Sequence, residues 1–567
     1  MKRQISTRFS GYNELVPVSG NLAFGSYMRN FKVLPDGSLK KREGFTQLFS
    51  AYDSVDAMWG GTIAGSEIIA AAAGGQLWIY DTALAFTACA GNIGAGRSAM
   101  FEFDGKLYIL TGSDYYTYNG SLKRVEGYIP LVAVACDPQT GGGTLYEEVN
   151  LLTSKRRQRF NTDGTIKKFV ITEQGATGIE WVKHNGAAID ESEYSFSSDE
   201  NALIMNAAPS SAPDSLEICY TSSANSRSLV TSHNCAMIFG GNTDTRVFVW
   251  GSASEPCTVR HSALAEGMPS AEYFPENSFR IIGNTPITDI IQQYDRQLIF
   301  TKDKSFYSYC ELTTDSLGNL YNSYPVFTLN ASKGNLMTGG GALMNGCPVT
   351  LCDDGLNKWE ATDVQDERNA VCFSQAIDSS IKDILRLNRQ DSCLLHLHQA
   401  SGELFFCYEN LIYVYGTAAG AWYIYDGIYP AAMCSAGNHL YIGDKFGNVC
   451  VLDDSVHNFD ATWSSSLCNF GTAGRLFSVT KLLISAKWSQ NAGLSVSLTE
   501  NTGSTTVPIE INGDGITGEH ELMRVYRVSA SRTAAVRVTA VCPAGKDAEI
   551  RSVGADYYEM GDHCIGL

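Results

Sequence analysis

The sequence predicts a mainly β protein: a β-propeller of about six blades with an inserted small β-sandwich and a terminal β domain. Three observations carry that reading. The first is composition: apolar residues make up 44% and charged residues 18%, with 54 Gly, 28 Tyr and 25 Phe, a mix that favours strands and tight turns over helices. The second is a recurring unit, a Gly, Asp or Asn turn followed by alternating aliphatic and aromatic residues, as in 75–80 (GQLWIY), 104–110 (DGKLYIL), 295–300 (DRQLIF) and 410–415 (NLIYVY). The third is length, because 567 residues exceed what one hydrophobic core serves.

Taken in order, residues 1–50 read as an N-terminal hairpin, with a strand-like run over 27–34, a Pro35-Asp36-Gly37 turn and a basic exit at Lys40, Lys41 and Arg42. Residues 51–145 hold the first propeller repeats. From 146 to 222 the repeat spacing vanishes, and short strands with Asp-Gly and Asn-Gly turns replace it, which predicts the inserted sandwich. Repeats return over 223–457, with further copies at 245–250 (TRVFVW), 303–309 (DKSFYSY), 438–443 (NHLYIG) and 447–452 (GNVCVL). Only 377–389 (IDSSIKDILRLNR) carries helical spacing and predicts a short helix. Over 458–567, alternating strands such as 523–528 (MRVYRV) and 535–539 (AVRVT) predict an antiparallel C-terminal domain half open to solvent or a partner.

The net charge of −18 argues against a surface that grips nucleic acid, since such binding rests on Lys and Arg neutralising phosphates. An acidic channel wall still permits DNA to slide past. The 16 cysteines stand singly, without C-x-x-C, which predicts reduced thiols made in a cytosol. Cys347 and Cys352 with His396 and His398 lack zinc spacing, so no metal and no cofactor are expected. The N-terminal stretch has charge but no apolar run behind it, and no segment is long enough to span a bilayer as a helix.

No metalloprotease, hydrolase-elbow, phosphate-loop or dinucleotide signature is present, so no enzyme activity and no catalytic residue are expected. Residues 353–359 (DDGLNKW) are near the Asp-box turn of sialidases but with Trp359 one place too far along. Asn512-Gly513-Asp514-Gly515 lacks the twelfth-position Glu of a calcium loop and reads as a turn. Gly141–143 and Gly339–341 lack the Lys and the helix of a phosphate cradle and read as flexible joins, the former leading into the inserted domain.

Residues 19–45 (SGNLAFGSYMRNFKVLPDGSLKKREGF) resemble the opening of phage tail nozzle proteins, the tail tubular protein B type of short-tailed phages. The strands of the insertion are similar to small sandwich modules of phage tail and fibre proteins. The stretch from Asn242 and Thr243 through Arg246-Val247-Phe248 to Tyr273-Phe274-Pro275 is similar to wording in phage structural proteins. The resemblance implies a structural virion protein of the distal tail, made in the bacterial cytoplasm, whose N- and C-terminal segments together form a platform. It further implies a six-fold homo-oligomeric ring below an adaptor or portal-proximal ring, with tail fibres alongside and phage DNA passing through without sequence-specific binding. On that reading Arg29, Lys40, Lys41, Arg42, Arg524, Arg527 and Arg537 are the candidate ring–ring contacts. The alternative is a carbohydrate-binding or glycan-degrading propeller that recognises the host surface, and a third reading is a cellular interaction scaffold.

Overall fold

The computed structural model describes residues 1–560 apart from 17, 225, 241–243, 315–319, 362–369, 472–473 and 514–516. Asn242, Thr243, Asp514 and Gly515 therefore lie outside the described residues. The protein is mainly β, as the alternation requires, and seven of its sheets have four strands each. The innermost strands of these seven are Val55–Ile63, Ala99–Phe103, Cys235–Phe239, Ile287–Gln293, Ala342–Met344, Cys393–His398 and Pro430–Ala436. Each touches the next in chain order and the last touches the first, so the sheets close into a ring.

Seven sheets stand where the repeat pattern predicts about six units. The repeat without the aromatic signature is the fifth, Ala342–Met344, Cys347–Cys352, Gly355–Trp359 and Ala370–Cys372. Its central hairpin is the Asp-box-like turn at 353–359. Trp359 is buried there, its indole N–H donating to Thr350 Oγ1 at 2.8 Å and its ring 5.1 Å from that of Phe300. The turn is structural, holding the fifth sheet against the fourth.

Local rules explain the hairpins. Asp104 and Gly105 both have positive φ, 49° and 70°, the pairing that a two-residue turn between twisted strands demands. Apolar clusters fill the space between adjacent sheets: Phe49 of the seventh sheet stacks on Tyr80 of the first at 5.8 Å, within a shared core of Val55, Ile69, Tyr441 and Val449. The predicted helix forms over Asp378–Arg386, with Ile381 and Ile384 on its buried face.

The seventh sheet settles where the N-terminal segment ends. Its outer strand is Gly44–Ser50, paired antiparallel with Asn448–Asp453. This strand closes the ring by joining early chain to late chain, so the predicted 1–50 hairpin unit is divided between two parts of the fold. The predicted 27–34 strand is also broken. Asn30 takes φ 59°, which turns the chain, so Gly25–Arg29 pairs with Ala461–Ser465 in one sheet while Phe31–Val33 pairs with Leu39–Lys41 in another.

Between the second and third sheets, the chain builds a six-stranded sheet facing a three-stranded one, with Phe160, Val182, Leu216 and Ile218 packed against Phe169, Leu203 and Met205. The six-stranded sheet begins at Leu131–Cys136, which runs parallel to Lys155–Thr162. The boundary read at residue 146 falls after its first two strands, because the signal at 131–136 is the same alternation that the ring strands use. Gly141–143 accordingly lies within this unit: Gly141 N–H donates to Asp137 O at 2.9 Å in the turn between Leu131–Cys136 and Thr144–Leu145.

The chain ends interleave in a two-sheet terminal module. One sheet combines Lys2–Ser6, Phe31–Val33 and Leu39–Lys41 with Phe477–Trp488, His520–Thr533 and Glu549–Glu559. The other combines Val18–Ser19 and Gly25–Arg29 with five C-terminal strands. Met28, Phe31, Trp463, Trp488, Val538 and Ile550 fill the core between them. Among the described residues, no helix is long and apolar enough to cross a membrane.

Candidate functional site: the terminal module and its joint to the ring

The basic exit of the hairpin is internal. Lys41 and Arg42 are 1% and 2% exposed, so neither is available to a neighbouring ring as the sequence reading proposed. The ammonium of Lys41 donates to three backbone carbonyls, His457 O (3.1 Å), Pro543 O (3.1 Å) and Lys546 O (2.7 Å), and sits 4.7 Å from the Phe459 ring centre. Burial pushes its pKa below the usual lysine value. Arg42 donates from Nε to Asn30 Oδ1 and from Nη2 to Asp426 O, both at 2.8 Å, and from Nη1 to Glu43 O at 2.5 Å. Its guanidinium lies 4.1 Å from the centre of Phe459 and 4.3 Å from Phe45. Burial pushes its pKa down to about 10. These two cations satisfy carbonyls that the chain crossing would otherwise bury unpaired.

Asn30 completes the joint. Its Nδ2 donates to Asp426 Oδ1 and Asp460 O, both at 2.8 Å, while its backbone N–H donates to Ile424 O. Asp426 follows the outer strand of the sixth sheet, Ala421–Tyr425, so this knot ties the terminal module to the ring.

The other predicted residues scatter. Arg29 is half-buried, 3.8 Å from Asp426 and 5.2 Å from the Tyr27 ring centre, on the joint side of the module. Lys40 is half-buried and lies opposite Glu549. Arg524, also half-buried, lies 4.8 Å over Trp488. Arg537 is half-buried in an inner strand and its Nε is buried. Only Arg527 is exposed. It belongs to His520–Thr533, a 14-residue strand at the end of its sheet, with Leu522, Met523 and Val525 exposed beside it. The structure thus gathers Arg29 and Arg42 at the joint and Arg524 and Arg527 on the far edge. The apolar members of that edge, Met523 and Val525, stand with Arg527 in the alternation of 523–528.

A cleft of about 770 Å³ opens beside the joint, lined by Lys32, Glu43, Glu67, His398, Glu403 and Asp453 among others. Glu403 accepts the phenol of Tyr423 at 2.6 Å. His396 and His398 both face the neighbouring seventh sheet. There Ser435 Oγ lies 2.9 Å from His396 Nε2 and 3.1 Å from His398 Nδ1. Burial pushes the His396 pKa down to about 4. Among the described residues, no group of His, Cys, Asp and Glu is arranged to hold a metal, and every cysteine is a free thiol.

The fold and this joint define a β-rich ring protein with a two-sheet module made from both chain ends. No family model and no curated protein matches the chain. Solved structures to which the chain is similar include the computationally designed Ika8 protein, at 11% identity over 73% of this chain and 99% of that one, with a TM-score of 0.34. Others are a chain of the mitotic checkpoint complex (7% identity, 75% and 93% covered, TM-score 0.34) and the β-propeller domain of Myceliophteria thermophila Cps50 (Swd1) (9% identity, 73% and 98% covered, TM-score 0.27). At these TM-scores the likeness carries no argument about what this chain does.

Proposed function

We propose that the seven sheets are the blades of a β-propeller and that the protein is a non-enzymatic structural component of a phage tail. In this reading, copies assemble as a six-fold nozzle ring through which the genome leaves, below an adaptor or portal-proximal ring and beside tail fibres. The observation that carries the reading is the terminal module: strands from residues 2–41 and 461–559 share two sheets, as the platform of the nozzle resemblance requires. A module in which strands from residues 2–41 and 461–559 share sheets and are tied to the ring suits a load-bearing connector, because separating early chain from late chain breaks those pairings. The exposed edge at Met523, Val525 and Arg527 supplies the contact between copies or rings, in place of Lys41 and Arg42. Cryo-electron microscopy of the assembled particle tests this: a six-fold ring with the terminal modules at one end is expected, and a monomer with no place in virions would sink it.

The second reading, glycan recognition, is favoured by the 770 Å³ cleft, whose Glu67, Glu403, His398 and Asp453 are hydrogen-bonding partners for sugar hydroxyls. Binding of host glycan that Glu67→Gln abolishes would favour it over the first.

A further inference from the structure

The mouth of the ring is crossed by a side chain. Arg97 precedes the innermost strand of the second sheet, Ala99–Phe103. Its Nη2 donates to Gly339 O at 2.8 Å and its Nη1 to Thr338 O. Thr338 and Gly339 belong to the segment that leads into the fifth sheet at Ala342–Met344. Gly339 itself lies beside the third and fourth sheets, where a Cβ would meet Cys235 Sγ at 3.3 Å and its N–H reaches Thr288 O, so the contact bridges the second sheet to a segment laid across the mouth on that side.

The cavities agree. One, about 420 Å³, is lined by Asp56, Met58, Leu394, His396 and Met433, from the first, sixth and seventh sheets. The other, about 470 Å³, is lined by Met100, Ala236, Ile291 and Leu343, from the second to fifth sheets. Arg97 and Gly339 line both, so they form the wall between them.

The segment is built for close approach. Gly339 N–H donates to Thr288 O at 2.5 Å and Gly341 N–H to the Asp289 carboxylate at 2.6 Å, both on the fourth sheet's inner strand. Gly339 has φ 50°, and a Cβ there would collide with Arg97 Nη2; a Cβ at Gly341 would lie 2.7 Å from Asp289 Oδ2. The three glycines are therefore not a flexible join, as the sequence reading has it, but a packed crossing.

We propose that Arg97 is a latch that bars one mouth of the axial channel by holding the Thr338–Gly339 carbonyls, and that releasing it frees the 337–341 segment to move aside. The latch rests on the observed ring and stands apart from the tail reading. It has one consequence for that reading: with the latch closed, cargo passes between subunits of an assembly and not along the axis of a single ring.

Hydrogen exchange on the full-length protein tests it. In Arg97→Ala, the Gly339 and Gly341 amides are expected to exchange about tenfold faster or more, while the strand amides of Ile299 and Leu351 keep their rates. Unchanged rates at Gly339 and Gly341 would overturn the latch. So would a uniform acceleration everywhere, which would make Arg97 a general stabiliser. If Arg97→Ala does not fold, Arg97→Lys is read the same way, since it keeps the charge but not the two-pronged donor.

Discussion

Arg42 Nε donates to Asn30 Oδ1 at 2.8 Å, and the same oxygen accepts the Asp426 N–H at 3.1 Å. One amide side chain thus connects a hairpin of the terminal module to the end of the sixth sheet. Arg42→Met removes the donor to Asp426 O and leaves that carbonyl buried, for an expected loss of about 3 kcal/mol in denaturant unfolding. At Asn30, whose φ is 59°, Asn30→Gly is expected to cost about 1 kcal/mol less than Asn30→Ala, because only glycine keeps the left-handed backbone without strain. Equal losses would show that the side-chain bonds alone matter. A double-mutant cycle between the two positions should give a coupling above about 0.5 kcal/mol.

Ring closure by Gly44–Ser50 predicts that an early residue stabilises late strands. Phe49 is 9% exposed and packs on Tyr80, so Phe49→Ala is expected to cost about 3 kcal/mol. A change within about 0.5 kcal/mol, the range of an ordinary surface substitution, would mean the strand only decorates the seventh sheet.

One buried and two half-buried histidines set an acid sensitivity. Burial pushes the pKa of His396 and His233 down to about 4 and that of His261 to about 3, from 6.5. Their folded values lie below the unfolded one, so the unfolded chain binds more protons in between. The stability they contribute is present in full above pH 6.5 and is lost as pH falls toward 4, by up to about 1.4 kcal/mol per pH unit for each ring. Denaturant midpoints measured across that range should fall, and less steeply in His396→Gln. A flat profile between pH 6.5 and 4 would contradict the neutral assignment.

The exposed edge separates assembly from folding. Val525→Asp combined with Arg527→Glu is expected to leave thermal unfolding within about 0.5 kcal/mol of the native protein, because both side chains face solvent. The same pair should shift the mass distribution of the protein toward monomer. Assembly that persists unchanged would move the subunit contact elsewhere.

Much of this fold is local. The Asp104-Gly105 turn, the Pro35-Asp36-Gly37 turn, the alternating strands and the Asp378–Arg386 helix follow from φ preferences and side-chain periodicity over a few residues, and those were legible in the chain. The fifth sheet was not, because its strands carry little of the aromatic alternation that marked the others. The joint was least legible of all. Lys40-Lys41-Arg42 reads as a solvated or docking cluster, since isolated cations avoid burial. The carbonyls that hold Lys41 belong to His457, Pro543 and Lys546, and those that hold Arg42 include Asp426. The chain by itself determined strand and turn, while the sharing of sheets between early and late strands is seen only in the tertiary structure. Only the tertiary structure decided which cations are internal, because hundreds of residues separate the donors from the acceptors that make their burial tolerable.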